Sequence, residues 1–302
     1  MSGGGYELLD SGGGRKLERF GRVVLARPCS QALWRRSLPD ARWEAANASF
    51  DREDGNRWHG RGNLPDEWTI ETEGITFRLS GTDFGHLGIF PEQRRQWRWI
   101  REMVTAARRR AGRRPSVLNL FAYSGGSTLA AAQGGAEACH LDASRGMVEW
   151  ARANAALNGL SDAPVRWISD DARKFMKREL RRGRRYDAVI LDPPTFGRGA
   201  AGELYKIERD LDETLELAKA LLSPEPLFLH FSSHTPGITP RAAENIVARL
   251  LPRMEIESGE MLLEGRSGTL PCPSGVYCRA WSRLGLSAGE VPADGKEGGK
   301  AR

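Results

Sequence analysis

The sequence predicts an α/β protein with a doubly wound, mostly parallel sheet of seven strands and a small β-rich module at its N-terminus. Beyond residue 90, short apolar runs that are typical of buried strands alternate with stretches of helical periodicity. Such alternation indicates βαβ units, with helices on both faces of a parallel sheet. The first 80 residues contain closely spaced turns and short β-like runs instead, which indicates a separate small unit.

Length and composition indicate a globular protein of one or two domains. The chain has 302 residues, 40% of them apolar, and 45 Lys and Arg against 39 Asp and Glu give a net charge of +6. A chain of this size can bury a substantial core. It contains no membrane-length apolar stretch and no signal-peptide pattern. Its four cysteines fit neither a disulfide framework nor zinc spacing, so we expect a reduced, cytoplasmic protein without a metal.

The N-terminal module is expected to span residues 1–80. Short strands are predicted at 22–26, 68–72 and 75–79, between turns that contain glycine. Four tryptophans of this segment are expected to form its core rather than to stack on bases: Trp34, Trp43, Trp58 and Trp68. The main domain then spans 81–285, and the segment 286–302, which is rich in Gly, Ala and charge, is expected to be disordered.

The elements of the main domain follow one another in regular order. Strands are predicted at 117–121, 138–141, 165–168, 188–191 and 227–231, with two further strands at 254–263 and 275–282. Helices are predicted at 92–110, 128–133, 147–158 and 172–182, within 204–222, and at 240–251. This order gives the seven strands and the helices of the predicted sheet.

The excess positive charge lies in one segment. Residues 81–115 hold nine arginines against three acidic residues, which suggests a polyanionic partner or a solvated helix face. The basic runs 108–114 and 173–185 fall at the C-terminal ends of helices, where cations complement the helix dipole. We therefore expect both runs to be structural. Arg94, Arg95 and Arg98 begin their helix and stay candidates for binding at the opposite edge of the sheet.

Four successive strands are followed by polar or glycine-containing segments at their carboxyl ends, where doubly wound sheets bind ligands. Gly125 and Gly126 follow the first strand, but their spacing does not match the dinucleotide fingerprint. Asp142 ends the second strand and fits either a ribose or a helix cap. Residues 169–172, after the third strand, fit an adenine or a cap, and 192–196 follow the fourth. Together the four segments outline a pocket for an adenosine.

These segments resemble those of the class I S-adenosylmethionine-dependent methyltransferases, and more closely the bacterial group that modifies large-subunit ribosomal RNA at cytosine C5 or guanine N7. The likeness rests on the Gly-rich turn 121–126, the Asp-x-Ser turn 142–144, the Asn-x-x-x-Asn-Gly helix end 154–159 and the Asp-Pro-Pro-x-Phe turn 192–196. The segment 84–94 is similar to one that folds over the cofactor. The resemblance implies a Rossmann-like sheet, S-adenosylmethionine as cofactor, and methyl transfer to a nucleobase of RNA, with ribosomal RNA as the expected substrate.

The resemblance also implies a set of cofactor-binding residues. Asp142 would bind the ribose and Asp171 would lie at the adenine, with the 125–126 backbone near the methionine part. Either Gln93 or Arg94 would contact the cofactor carboxylate. The full set of expected cofactor-binding residues is Phe90, Gln93, Arg94, Asn119, Phe121, Tyr123, Ser124, Gly125, Gly126, Asp142, Ala143, Ser144, Asp171, Ala172 and Asp192.

The turn at 192–196 is predicted to act on the substrate. Pro193 and Pro194 stiffen the backbone and remove N–H donors, which leaves the Asp192 carboxylate and backbone carbonyls as acceptors. Phe196 can stack on an extruded base. Asp192, Pro193, Pro194 and Phe196 are therefore the catalytic candidates, and the glycine-rich loop 197–202 is expected to move over the substrate.

One departure from the family concerns the reaction. Cytosine-C5 methylation uses a cysteine nucleophile, which in the relatives follows the fifth strand. Here 231–236 contains no cysteine; Cys272 is a remote candidate, and His234 is either a base or simply solvated. N-methylation of guanine or another base is therefore favoured. Two alternatives stay open: the methyl acceptor is a protein side chain or a small molecule, or the protein binds the cofactor without turnover. The oligomeric state is left open.

Overall fold

The structure, a computed structural model, describes residues 4–52, 55–199, 202 and 204–282. The segment 286–302, for which disorder is expected, lies outside the described residues. The N-terminal elements are β1 (Tyr6–Gly12), β2 (Arg15–Phe20), β3 (Val23–Pro28), α1 (Asp40–Glu44), β4 (Ala48–Asp51), β5 (Arg57–His59), β6 (Trp68–Thr72) and β7 (Ile75–Leu79). Strands β1 to β5 form one sheet in chain order, and β6 pairs with β7 in an antiparallel hairpin.

Side chains of the N-terminal strands alternate between core and solvent. In β6, Trp68 and Ile70 are buried while Thr69 and Glu71 are exposed, as the two-residue period of a strand requires. Trp43, Trp58 and Trp68 are buried, and Trp34 is half-buried against the same core as Trp58 and Trp68. The expectation that these tryptophans form the core is confirmed.

The main sheet has seven strands: β8 (Ser116–Leu120), β9 (Glu137–Asp142), β10 (Val165–Ser169), β11 (Ala188–Leu191), β14 (Phe228–Ser233), β15 (Glu255–Leu263) and β16 (Cys272–Trp281). Their order in the sheet is β10-β9-β8-β11-β14-β16-β15. The first five of these are parallel, and β16 runs antiparallel to both β14 and β15. The predicted seven-stranded, mostly parallel sheet is therefore confirmed.

Helices cover both faces of this sheet. They are α2 (Arg94–Ala111), α3 (Gly126–Gln133), α4 (Arg145–Leu157), α5 (Ala172–Arg181), α6 (Ile207–Leu221) and α7 (Pro240–Leu250). A short hairpin of β12 (Phe196–Arg198) and β13 (Leu204–Lys206) precedes α6 and was not predicted. Helix α2 ends at Gly112, whose φ of 64° lets its N–H reach the Arg108 carbonyl. No helix in the described part of the chain is long and apolar enough to cross a membrane.

The two faces of the main sheet belong to different hydrophobic clusters. One cluster joins α2, α3 and the N-terminal strands; within it, Phe77 and Trp97 have ring centroids 4.9 Å apart. The other cluster joins α5, α6 and α7 to the opposite face. The N-terminal strands thus share their core with the main sheet, and a division at residue 80 stays a prediction.

The arginines of the basic runs bind acidic side chains of the scaffold. Arg113 donates two hydrogen bonds to Asp187, at 2.7 and 2.8 Å, and Arg173 pairs with Asp210 at 2.9 Å. The Arg113 contact supports the structural interpretation of the first run. For Arg173 the expectation is wrong, because this residue lies in the first turn of α5 and lines the cleft at the carboxyl edge of the sheet. The candidates at the start of α2 are also paired: Arg98 binds Glu73 through two bonds of 2.9 and 2.8 Å. Arg95 forms an ion pair with Glu264 in the same way.

Candidate active site

A cleft of about 1160 Å³ opens at the carboxyl ends of the parallel strands. All four loop segments singled out in the sequence line it, which confirms that they meet at one edge of the sheet. The opposite wall comes from the N-terminal sheet and the segment 84–92. The expected site residues that line the cleft are Phe90, Phe121, Tyr123, Asp142, Ala143, Ser144, Asp171, Ala172, Asp192, Pro193, Pro194 and Phe196.

Asp142 is held in place by two backbone donors. Its Oδ2 accepts from the N–H of Tyr123 and its Oδ1 from the N–H of Ser144, both at 2.9 Å. Burial raises the pKa of Asp142, although these two hydrogen bonds oppose the shift. Each carboxylate oxygen has a further lone pair with which to accept a second hydrogen bond. The residue therefore fits the two hydroxyls of a ribose.

The turn after β8 has an unusual backbone. Phe121 and Tyr123 both have positive φ, at 55° and 49°, a region that bulky residues rarely adopt. The hydrogen bond from Tyr123 to Asp142 helps to hold the turn in this conformation. Backbone strain of this kind is concentrated at functional sites, because the surrounding structure must maintain it.

Aromatic rings form one side of the cleft. The ring of Phe90 lies 5.0 Å from that of Tyr123 and 5.7 Å from that of His86, centroid to centroid. Burial raises the pKa of Tyr123 to about 12, so its hydroxyl stays protonated. The rings provide an apolar wall next to the Asp142 carboxylate.

Several expected cofactor ligands lie behind the wall of the cleft instead of in it. Gly125 begins α3 with a φ of 94°, and a Cβ on Gly126 would stand only 2.6 Å from the Trp97 ring. Both glycines therefore allow α3 to pack closely against its neighbours. Ser124 is buried, and its carbonyl accepts a 2.9 Å hydrogen bond from Asn154.

Asn119 also belongs to the scaffold. It is buried in β8 and donates to the Thr128 hydroxyl at 2.9 Å, which in turn contacts His140 Nδ1 at 2.9 Å. Burial lowers the pKa of His140 to about 3, so the imidazole is neutral. This chain of hydrogen bonds satisfies polar groups between β8, α3 and β9, and it leaves Asn119 no contact with the cleft.

The two candidates for the cofactor carboxylate are engaged elsewhere. Arg94 donates to the Pro91 carbonyl at 3.0 Å, and its guanidinium lies 5.0 Å from the centroid of the Tyr6 ring. Gln93 is buried and donates to Asp192 Oδ2 at 3.2 Å and to Ser232 at 3.1 Å. The expectation for Arg94 is corrected because its side chain packs on the N-terminal sheet. Gln93 instead positions Asp192.

Asp171 and Ser144 cap helices at the edge of the cleft. Asp171 Oδ1 accepts from the N–H of Lys174 at 2.9 Å, and Ser144 Oγ accepts from the N–H of Met147 at 3.4 Å. The capping alternative is confirmed for the 169–172 segment, while at the turn 142–144 the helix cap is Ser144 and not Asp142. Both residues still line the cleft, so capping and ligand contact are compatible there.

Asp192 stands at the centre of the opposite half of the cleft. It directly follows β11, and its Oδ1 is buried with no hydrogen-bond partner among the described residues. Pro193 is buried and stiffens the turn, while the ring of Phe196 is 53% exposed. The turn therefore places a carboxylate and an exposed aromatic ring beside the cleft, and their catalytic role stays a prediction.

His234 is a site residue that the sequence interpretation underestimated. Its Nε2 lies 3.1 Å from Glu92 Oε1, and its Nδ1 lies 3.6 Å from Asp192 Oδ1. Burial opposes its protonation, but the two carboxylates raise the pKa of His234 to about 10. The imidazole is therefore charged at neutral pH. A simply solvated His234 is the wrong interpretation; the deciding contact, with Glu92, lies 142 residues away in the chain, so no local pattern could reveal it.

Glu92 is the buried partner that fixes this imidazolium. Burial would raise the pKa of Glu92, but the hydrogen bond from His234 outweighs it and lowers the pKa to about 2. Ser274 donates a second hydrogen bond, of 2.9 Å, to the same carboxylate oxygen. The result is a row of three groups, Glu92, His234 and Asp192, with the positive charge in the middle.

The remote nucleophile candidate Cys272 is not positioned for attack. It is fully buried, and its Sγ lies 3.1 Å from the Sγ of Cys29. The next two residues, Pro273 and Ser274, line the cleft, but Cys272 does not. Residues after β14 offer His234 where a C5 methyltransferase has its cysteine, so the structure provides no support for covalent C5 chemistry through Cys272.

A comparison with known proteins decides the family. A family model described as S-adenosylmethionine-dependent methyltransferase matches residues 40–256. The chain belongs to this family. The methyltransferase is 37% identical to an S-adenosylmethionine-dependent methyltransferase from Agrobacterium tumefaciens; the two structures have a TM-score of 0.84, and the match covers 91% of this chain and 90% of the other. The predicted enzyme class and cofactor are thereby confirmed.

Curated relatives match a smaller part of the molecule. The methyltransferase is 32% identical over 184 residues to ribosomal RNA large subunit methyltransferase K/L of Syntrophotalea carbinolica, which is 58% of this chain and 24% of that protein. It is 29% identical over 175 residues to ribosomal RNA large subunit methyltransferase K of Neisseria meningitidis, 57% of this chain and 47% of that protein. This chain therefore matches less than half the length of either relative.

Proposed function

We propose that this methyltransferase methylates a nitrogen atom of an RNA nucleobase, with ribosomal RNA as its substrate. The observation that supports it most directly is the pairing, at one turn, of an exposed aromatic ring, Phe196, with the carboxylate of Asp192, both of which border the cleft. A planar base that has left its stack needs both a stacking face and a hydrogen-bond partner. The names of the curated relatives point to the same substrate class.

The donor half of the cleft would hold S-adenosylmethionine. Asp142 would accept from the ribose hydroxyls, the rings of Phe90 and Tyr123 would cover the adenosyl part, and Asp171 would border it. When bound, the cofactor supplies an electrophilic methyl group. The chain's own contribution here is alignment, which accounts for about 7–11 kcal/mol of barrier reduction in favourable intramolecular cases.

The acceptor half would hold and orient the base. Phe196 would stack on it, and Asp192 Oδ1 would accept a hydrogen bond from a base N–H and then the proton that the methylated nitrogen loses. Gln93 holds one oxygen of Asp192 from behind at 3.2 Å, and the Nδ1 atom of His234 lies 3.6 Å from the other oxygen. This arrangement favours a nitrogen acceptor over cytosine C5, because the segment after β14, where the C5 enzymes have their cysteine, carries His234 and no cysteine.

The charge at the mouth of the cleft favours RNA over the other acceptors. Arg52, on the N-terminal wall, and Arg198, on the β12–β13 hairpin, are both exposed and both line the cleft. Cations on two walls suit a phosphate backbone that passes between them. A protein side chain or a small molecule as acceptor would need no such pair. The proposed substrate would place the enzyme in the cytoplasm.

Methyl transfer to isolated RNA tests this proposal. Large-subunit ribosomal RNA from a strain that lacks the gene would be incubated with enzyme and radiolabelled S-adenosylmethionine, and the modified nucleoside would be identified by mass spectrometry. We expect a single N-methylated nucleoside that is absent from the untreated RNA. A parallel incubation would use whole lysate of the same strain. Label that enters its proteins or small molecules, but not its RNA, would refute RNA as the methyl acceptor.

A further inference from the structure

Phe84, at the mouth of the cleft, takes no part in the proposed methyl transfer. Phe84 is 72% exposed and lines the N-terminal side of the cleft. Of the phenylalanines, tyrosines and tryptophans in the described part of the chain, only Phe84 and Phe196 are exposed, and both border the same cleft. Leaving an aromatic ring in water is unfavourable. Two exposed rings at the mouth of one cleft therefore indicate a binding surface.

The turn that presents Phe84 is firmly anchored. Thr82 closes it through hydrogen bonds of 2.9 and 3.0 Å to the His86 carbonyl, and Trp58 donates to the Thr82 carbonyl at 2.7 Å. Gly85, with a φ of 76°, packs so closely that a Cβ there would stand 2.5 Å from the Phe50 ring. The backbone therefore fixes the ring outside the core, and no inward relaxation of the turn can bury it.

We propose that Phe84 stacks on an unpaired nucleobase next to the target base, and so forms a second base-binding position across the cleft from Phe196. The inference rests on the proposed RNA substrate. Phe196 belongs to the same turn as Asp192 and is thereby assigned to the target base. Phe84 belongs to the N-terminal wall of the cleft, as does the exposed Arg52, and this wall is where the strand would enter or leave. Stacking on an aromatic ring is the mode by which proteins bind single-stranded bases with little regard to sequence.

A kinetic comparison of three variants tests this position. Phe84→Ala should raise the KM for ribosomal RNA about 5- to 100-fold, the range that loss of one base stack produces, with little change in kcat. Phe84→Trp should restore the KM because it retains a stacking face. Leu33→Ala serves as control, since Leu33 is 85% exposed but lies outside the cleft. Thermal melting of each variant verifies the fold.

The outcomes separate this inference from the proposed function. If the wild-type enzyme methylates no RNA, the proposed function fails. If the wild type methylates RNA and Phe84→Ala has the same KM, only the second base position fails. A loss of cofactor affinity in Phe84→Ala, measured by calorimetry without RNA, would also overturn it, because Phe84 would then contact the methyl donor.

Two cysteines support a second inference, which is independent of the substrate. Cys29 follows β3 and Cys272 begins β16, yet their Sγ atoms lie 3.1 Å apart. Cys29 is half-buried and lines the cleft, whereas Cys272 is fully buried. The hydrogen bond between the two sulfur atoms lowers the pKa of the Cys29 thiol against the effect of burial, with help from the charge of Lys16, and it raises the pKa of the Cys272 thiol. A thiol with these properties is accessible and nucleophilic, and it has a second thiol within reach.

We infer that Cys29 and Cys272 form a dithiol that a hydroperoxide oxidises to a disulfide between the N-terminal sheet and the main sheet. The Cys29 thiolate attacks a peroxide oxygen; its O–O bond breaks, Cys29 becomes a sulfenic acid and water leaves. The Cys272 sulfur then attacks the Cys29 sulfur, and a second water leaves as the S–S bond forms. In total two thiols lose two electrons, and one hydrogen peroxide is reduced to two waters.

Intact-mass analysis tests the dithiol. After stoichiometric hydrogen peroxide, the mass should fall by about 2 Da and the number of titratable thiols should fall by two, both reversibly with dithiothreitol. Cys29→Ser and Cys272→Ser should each abolish the change, whereas Cys278→Ser, a buried cysteine elsewhere in β16, should not. A stable gain of about 32 Da on Cys29, or no loss of thiols, would overturn the inference.

Discussion

The two halves of the cleft are built in different ways. In the donor half, the polar contacts join residues within 19 positions of one another: Asp142 binds the N–H groups of Ser144 and Tyr123, and Asp171 caps its own helix. In the acceptor half, Asp192 is held by Gln93, 99 residues away, and His234 by Glu92, 142 residues away. Shorter-range polar contacts thus fix the half proposed for the cofactor, while the turn 91–93, which precedes α2, fixes the half proposed for the substrate.

The largest expected effect is a loss of methylation rate, caused by a substitution in the acceptor half that leaves cofactor binding in the donor half unchanged. Asp192→Ala removes the proposed acceptor oxygen, and we expect kcat to fall by at least roughly 10²–10³-fold, as for loss of a preorganised polar group at a reacting centre. Cofactor affinity measured by calorimetry should stay within about threefold of wild type, since Asp142 is untouched. An Asp192→Ala enzyme that keeps its methylation rate, or that no longer binds the cofactor, would break the distinction between the halves.

His234→Gln tests whether the acceptor half depends on a charged imidazole. We expect kcat to fall about 10- to 100-fold, the value of a hydrogen bond to a charged group. Because the folded-state pKa of His234 is raised to about 10, its stabilising contribution is complete below its unfolded pKa of about 6.5 and is lost as pH rises through about 10.

The stability difference between wild type and His234→Gln should therefore be largest at pH 6 and vanish near pH 10, as urea unfolding at several pH values would show. A difference that is constant over this range would contradict the charged state. Arg145→Gln, an exposed residue of α4 outside the cleft, is a suitable control.

Asp142→Ala tests the donor half. The change leaves the N–H groups of Tyr123 and Ser144 without their acceptor and removes the proposed ribose ligand. We expect cofactor affinity to fall by about 1–3 kcal/mol, or about 5- to 150-fold, with kcat nearly restored at saturating cofactor. Calorimetric titration with S-adenosylhomocysteine measures this effect, and an unchanged Kd would show that the carboxylate is no cofactor ligand.

The smallest expected effect concerns the packing behind the donor half. Gly126→Ala would place a methyl group 2.6 Å from the Trp97 ring, and we expect a loss of about 1–3 kcal/mol in the free energy of unfolding. Gly146→Ala is the matched control, because Gly146 also lies in a helix but its Cβ would meet only Ser144 Oγ at 3.9 Å. That variant should be neutral or slightly stabilised in urea denaturation, since alanine favours the helix.

The elements of the main sheet could be predicted because each has its own periodic signal. Strand β11 was predicted at its observed bounds, and α5 to within one residue of them. The β12–β13 hairpin escaped prediction since its three-residue strands are too short to show a period. The shared core of N-terminal strands and main sheet was also missed, because composition marks turns and strands but not which surfaces meet.

The site, too, could be predicted only in part. The sequence determined the four loop segments at the sheet edge, because parallel strands in a doubly wound sheet bring their carboxyl ends to one side whatever their side chains. Asn119 and Arg94 look equivalent to the lining residues in the sequence, and only the contacts of their side chains show that they are engaged elsewhere.

The sequence by itself thus determined the fold class, the edge of the sheet where the cleft opens and the turn that carries Asp192. Only the tertiary structure decided the charge of His234, the exposure of Phe84 and the meeting of Cys29 with Cys272. The physical reason is that a pKa, an exposed area and a contact between distant residues depend on which groups lie near in space. Periodicity along the chain records only which neighbours in sequence share a face.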